Sequence, residues 1–135
     1  MPPHDHRDDL EKVPLFRDLS RRQRQALSRG AVRVPVPAGC VLFNEDSEGH
    51  ELVVVLEGAV EVRRDGVQIA ELGPGDYFGE VALVKHARRN ATAVARSEGT
   101  IIVCIGQEEF AGVVKRFPEI AKLVKETSDA RQAPQ

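Results

Sequence analysis

The sequence contains no apolar run approaching the roughly 18 residues that a membrane span needs. Its opening, MPPHDHRDDLEK, is polar and acidic where a secretory signal is basic and then apolar. A cytoplasmic chain with no membrane partner is expected. Positive charge is not in excess either: 19 Lys and Arg against 21 Asp and Glu give a formal net charge of −2, so the whole chain lacks the field that draws in a nucleic-acid backbone. Direct binding to nucleic acid is not expected. The densest basic cluster, Arg17, Arg21, Arg22, Arg24 and Arg29, reads as the solvated face of a short helix rather than a docking patch. Cysteine is limited to Cys40 and Cys104, inside the apolar runs AGCVLF and IIVCIG, which makes both core hydrophobes and not ligands or a disulfide framework. Histidine is sparse: His4 and His6 lie near the start, and His50 and His86 fall apart in loops. That distribution does not supply the clustered ligands of a metal site or a two-metal hydrolase. A binding protein with no metal and no catalytic activity is expected.

What is present fits one domain. A chain of 135 residues with 41% hydrophobic content supports one sizeable core, and no internal repeat divides it. The expected organisation is a flexible stretch over 1–12, one domain over 13–128 and a fraying tail, DARQAPQ, over 129–135. Ser20 with Gln23 is a capping-box signal, and Gly30 stands where a left-handed helix-closing residue belongs, so residues 21–29 read as a short helix. Val32, Val34 and Val36 alternate, with Pro35 marking an edge strand, and Val41-Leu42-Phe43 reads as a second strand. Leu52-Val53-Val54-Val55-Leu56 is a continuous apolar run typical of a strand buried on both faces. After Ala59-Val60-Glu61-Val62, Asp65-Gly66 supplies a two-residue hairpin turn that sets Val62 opposite Ile69. The same register brings Val60 near Glu71, a poor pair that predicts a bulge or slip toward that end. Residues 93–95 and 101–105 are two further strands. Short strands with no helices between them predict a mainly β jelly-roll β-barrel or sandwich, carrying short N-terminal helices and two C-terminal helices. Of the latter, one places Phe110, Val113, Val114 and Phe117 on one face, and the next, opened by Pro118, does so with Ile120, Leu123 and Val124.

The chemistry is concentrated in Gly73-Pro74-Gly75-Asp76-Tyr77-Phe78-Gly79-Glu80-Val81-Ala82-Leu83, followed by Arg88-Arg89-Asn90-Ala91-Thr92. Glycine at 79 lets a ligand approach the backbone, and the segment from Val81 to Val84 is long enough for one helical turn whose free amides would face an anion. The segment resembles the phosphate-binding cassette of the cyclic-nucleotide-binding domain family, in which Phe-Gly-Glu, an aliphatic residue and Ala-Leu precede Arg-x-Ala-Thr/Ser. Gly39, Asp46, Gly58 and Leu72-Gly73-x-Gly75-Asp76 extend the likeness over about residues 13–125. The resemblance implies that Arg89 pairs with a cyclic phosphate, a diester whose single negative charge one guanidinium can balance. It implies that Glu80 accepts the ribose hydroxyl and repels a ligand with extra phosphate there. Gly79 would offer an amide to the sugar, and Ala82 and Asn90 amides to the phosphate. The C-terminal helix would cover the base through Leu123 and Val124, with Thr127 as a hydroxyl partner.

Two positions depart from the family pattern. Asn90 stands where Ala, Ser or Thr is common, and a hydroxyl there goes with cGMP tolerance. The reading therefore leans to cAMP as the ligand with cGMP as its alternative. Glu45 stands where a glycine is usual, a change expected to alter that turn without touching the pocket. Arg88 is read as a solvated charge. Two other functions remain open: a protein-interaction module that keeps the fold without nucleotide, and a cupin-like metal-binding barrel. A Rossmann reading fails because Phe78 stands where the third glycine would be and no βαβ unit surrounds it. Too little sequence follows Pro118 for a recognition helix-turn-helix, so a stand-alone domain acting on a separate effector protein is expected.

Overall fold

The computed structural model of the chain describes residues 10, 11, 13, 16–79 and 88–131, the last five as helical backbone. Helix α1 (Arg21–Arg29) starts where local chemistry dictates. Ser20 Oγ accepts the Gln23 amide at 3.1 Å and Gln23 Oε1 accepts the Ser20 amide at 2.8 Å, so each satisfies a donor that the helix start leaves open. Gly30 closes α1 with φ −97°, not in the left-handed region expected of it. Its glycine is required by packing instead: a Cβ there would sit 2.6 Å from Glu109 Cβ.

Eight strands follow: β1 (Ala31–Val36), β2 (Val41–Phe43), β3 (Glu51–Glu57), β4 (Val60–Arg64), β5 (Val67–Leu72), β6 (Tyr77–Phe78), β7 (Thr92–Ala95) and β8 (Thr100–Gly106). They form two four-stranded antiparallel sheets, ordered β1-β8-β3-β6 and β2-β7-β4-β5. The jelly-roll arrangement is thus two facing sheets and not a closed barrel. Pro35 does lie in an edge strand, β1, as its missing N–H requires. Two helices, α2 (Gln107–Arg116) and α3 (Glu119–Arg131), complete the described fold. Glu108 and Glu109 in the first turn of α2, and Lys115 and Arg116 in its last, complement the helix dipole.

β3 explains the layering. Leu52 and Val54 point to the helices and share a core with Phe16, Leu27, Phe110, Ile120 and Val124. Val53 and Val55 point the other way, into clusters between the sheets with Ile102, Ala95, Val60 and Ala93. A strand covered on both faces needs an unbroken apolar run, which is what residues 52–56 supply. The core begins earlier than expected: Leu10, inside the stretch read as flexible, is fully buried. Cys40 and Cys104 are half-buried and pack against the inter-sheet cluster instead of lying wholly within it.

The β4–β5 hairpin turns at Asp65 (φ 53°) and Gly66 (φ 79°), the two left-handed residues its sequence demands. Its register corrects the expected pairing of Val62 with Ile69 and contains the bulge that the poor Val60–Glu71 pairing called for. Val62 opposes Ala70, Arg63 opposes Gln68, and Ile69 is the extra residue of a bulge, 47% exposed. The shift pairs Val60 with Leu72, both apolar, and removes the poor pairing with Glu71.

Candidate functional site

Arg89 is fixed by its backbone before its side chain does anything. Its amide donates to the Ser47 carbonyl and its carbonyl accepts the Asp46 amide, both at 2.7 Å. The neighbouring pair Glu48 and Arg88 forms an isolated antiparallel bridge. The loop between β2 and β3 therefore grips the chain that leads into β7, and fully buried Ala91 anchors the next turn of that chain in the interior. Successive side chains point to opposite faces of extended backbone. Arg88 accordingly turns outward, donating from Nη1 to the Asp46 carbonyl at 2.6 Å, while Arg89 turns inward and is 7% exposed.

The guanidinium of Arg89 occupies a cage of backbone and ring. Its Cζ lies 4.2 Å from the centroid of Phe43, and Nη2 donates to the Glu51 carbonyl at 2.8 Å. Two glycines leave room for it. A Cβ at Gly49 would come within 2.8 Å of Arg89 Nε. A Cβ at Gly79, whose φ is +95°, would fall against Nη1 and lie 2.7 Å from the Glu51 carbonyl. Both Nε and Nη1 are buried, with no hydrogen-bond partner among the described residues. Burial holds the Arg89 pKa below its ordinary value, opposed by the negative charge of Glu51 and then by the Cys104 thiol. A desolvated cation with unspent donors is costly to leave unpaired. Such an arrangement has the charge and the donors that an anion would need.

Gly79 and Arg89 are thus brought together from opposite ends of the motif. Asn90 is exposed, and its carbonyl accepts Arg64 Nε at 2.9 Å. Glu80 and Ala82 lie outside the described residues, as does the Thr127 side chain. Val124 is fully buried with Ile120 in the helical core cluster, and Leu123 packs against that cluster while partly exposed. Glu45 reaches outside its own turn: its carboxylate accepts the Asp65 amide at the tip of the β4–β5 hairpin at 3.1 Å, and its amide donates to Thr92 Oγ1 at 3.0 Å.

Phe43, Gly49 and Glu51 are components that the sequence reading did not assign. Glu51 contributes a backbone carbonyl, which no side-chain pattern can signal. Gly49, at the end of the acidic loop, carried a usable signal, since a glycine is the residue that lets another group approach the backbone. An open cleft of about 350 Å³ is bordered by Gly30, Val32, His50, Glu51, Cys104 and Glu108. There, burial and then the charge of Glu51 push the Cys104 thiol up to about 11, so it is neutral at physiological pH.

The family described as the cyclic nucleotide-binding domain matches residues 33–117. A Pycsar effector protein of Xanthomonas perforans is 30% identical over 114 residues, 82% of this chain and 38% of that protein. The cAMP-dependent protein kinase regulatory subunit of Schizosaccharomyces pombe is 34% identical over 89 residues, 65% of this chain and 22% of that protein. The chain therefore spans well under half the length of either relative. Among solved structures, the N-terminal domain of a transcriptional regulator from Streptomyces coelicolor superposes with a TM-score of 0.78 at 30% identity, covering 92% of this chain and 91% of that one.

Proposed function

The chain belongs to the cyclic nucleotide-binding domain family, and on that premise we propose that it is a cyclic-nucleotide sensor with a preference for cAMP. The observation that carries this reading is the buried Arg89 guanidinium, with two nitrogens that have no partner among the described residues, beside the positive-φ backbone of Gly79. A cyclic phosphate brings one negative charge and two exocyclic oxygens, which match one guanidinium in charge and hydrogen-bonding capacity. Arg89 balances that charge, Gly79 offers its amide to the sugar, and Glu80 accepts the ribose hydroxyl. The Ala82 and Asn90 amides complete the phosphate's hydrogen bonds. The preference for cAMP draws support from the cAMP-dependent kinase subunit among the relatives and from the absence of a side-chain hydroxyl at Asn90.

The base is covered by α3, through Leu123, Val124 and Thr127. Val124 is buried in the helical core, so closure over a base requires α3 to exchange part of that packing for contacts with the ligand. A ligand shifts a helix only through contacts that differ between its two positions. Titration calorimetry with cAMP and with cGMP, in excess EDTA, tests the reading, with amide exchange followed across residues 118–127. Tighter binding of cAMP, undiminished by EDTA and accompanied by altered exchange in that segment, is expected. No binding of either nucleotide refutes the sensor. Binding with unchanged exchange refutes the moving helix alone.

A further inference from the structure

We propose that Phe43 is the positioning residue of the anion receptor, its ring face holding the Arg89 guanidinium in the ligand-ready position; this rests on the cyclic-nucleotide reading above. Three observations carry it. The first is the bulge in β2: Val41 opposes Val94 and Phe43 opposes Ala93, leaving Leu42 as an extra residue. Strict alternation would send Leu42 and Phe43 to opposite faces of the sheet. With the bulge, both pack against the inter-sheet clusters, a re-aiming of side chains that bulges accomplish beside functional sites. The second is the contact itself, with Cζ 4.2 Å from the ring centroid, where the negative face of the ring attracts a cation. The third is a brace: Phe78, the residue before Gly79, sits with its ring centroid 4.8 Å from that of Phe43, tilted by 30°.

Nη2 of Arg89 bonds the Glu51 carbonyl, while Nε and Nη1 have no partner among the described residues. A long side chain held by one hydrogen bond swings about it, and each other position it visits lowers the fraction of molecules ready to bind. Apparent affinity falls by that fraction. The ring face supplies the second point of attachment without consuming an N–H, leaving the N–H groups of Nε and Nη1 for phosphate oxygens.

The test replaces Phe43 with Leu and, separately, with mono-, di- and trifluorinated phenylalanine, which keep the ring's outline and progressively weaken its negative face. Each protein is titrated with cAMP as the probe, and the Arg89 Nε–H resonance is followed by NMR in the nucleotide-free chain. Phe43→Leu should weaken binding about three- to tenfold and abolish the ring-current shift of that resonance. In the fluorinated series, affinity should fall stepwise with each added fluorine. A flat fluorine series, or Phe43→Leu binding as tightly as the unaltered chain, overturns the role of Phe43. Absence of binding by the unaltered chain overturns the functional reading on which it stands.

Discussion

Replacing Arg89 with alanine should separate affinity from stability. For the ligand, the substitution removes the charge-assisted partner of the phosphate, a loss of about 2–4 kcal/mol, or roughly thirty- to thousandfold in affinity. For the protein alone the terms nearly cancel. The variant gives up one hydrogen bond to the Glu51 carbonyl and the contact with Phe43, together worth about 2–5 kcal/mol. It also no longer keeps a desolvated charge with two buried nitrogens that lack a partner among the described residues, a burden of about 1–3 kcal/mol or more. The nucleotide-free variant should therefore melt within a few degrees of the unaltered chain. Arg89→Lys keeps a charge but not the planar fork, so it should recover only part of the lost affinity. Arg88→Ala, which removes an exposed side chain bonded to the Asp46 carbonyl, should cost less than about threefold. Paired calorimetric titration with cAMP and thermal melting of all three variants make the comparison. Equal affinity losses at Arg88 and Arg89 would refute the assignment of the receptor, and so would Arg89→Ala binding cAMP as the parent does.

Gly79→Ala should both destabilise the chain, by about 1–3 kcal/mol, and weaken cAMP binding at least about tenfold, because the added Cβ meets Arg89 and the Glu51 carbonyl; melting and titration that both match the parent would contradict the geometry. Glu61 is 8% exposed and takes two bonds from Arg63, at 2.7 and 3.1 Å, with Arg96 at 3.4 Å. The Arg63 hydrogen bonds, ahead of the opposing effect of burial, hold its carboxyl below the ordinary range. With the folded pKa depressed, its contribution to stability is complete above the unfolded pKa and disappears as pH falls through the folded one. Glu61→Gln should accordingly be less stable than the parent at neutral pH, by a margin that closes on acidification below the carboxylate range. Denaturant melts showing a pH-independent margin would refute that account.

Features set by neighbours in sequence were readable without a structure. The Ser20–Gln23 cap, the Asp65-Gly66 turn and the doubly buried run at 52–56 each follow from backbone chemistry within a few residues. In the hairpin, Asp65-Gly66 fixed the tip, and the poor pairing of Val60 with Glu71 called for a bulge or slip, which the register shows. The place of the bulge, at Ile69, was not readable, because it depends on packing Val60, Val62 and Leu72 between two sheets. Gly30 shows the same limit, since its position marked a helix end but its reason was contact with Glu109 on α2. Within the site, Gly79 and Arg89 were legible because a motif joins them. Phe43 was not, because an apolar residue at the end of a strand looks like core until a bulge turns it beneath a cation.

That displaced register also bears on how copies of the chain meet one another. β5 is the outer strand of its sheet among the described residues, and it displays Val67 at 64% and Ile69 at 47% exposure. A long, regular, apolar border of this kind is a template on which a second molecule could add its own strand. Here the extra residue interrupts the spacing of free N–H and C=O groups midway along the border and bends it. An incoming strand would find only short stretches in step with its own. The irregularity that upset the pairing within the hairpin therefore also makes the rim of the sheet a poorer template for an added strand than a regular border would be.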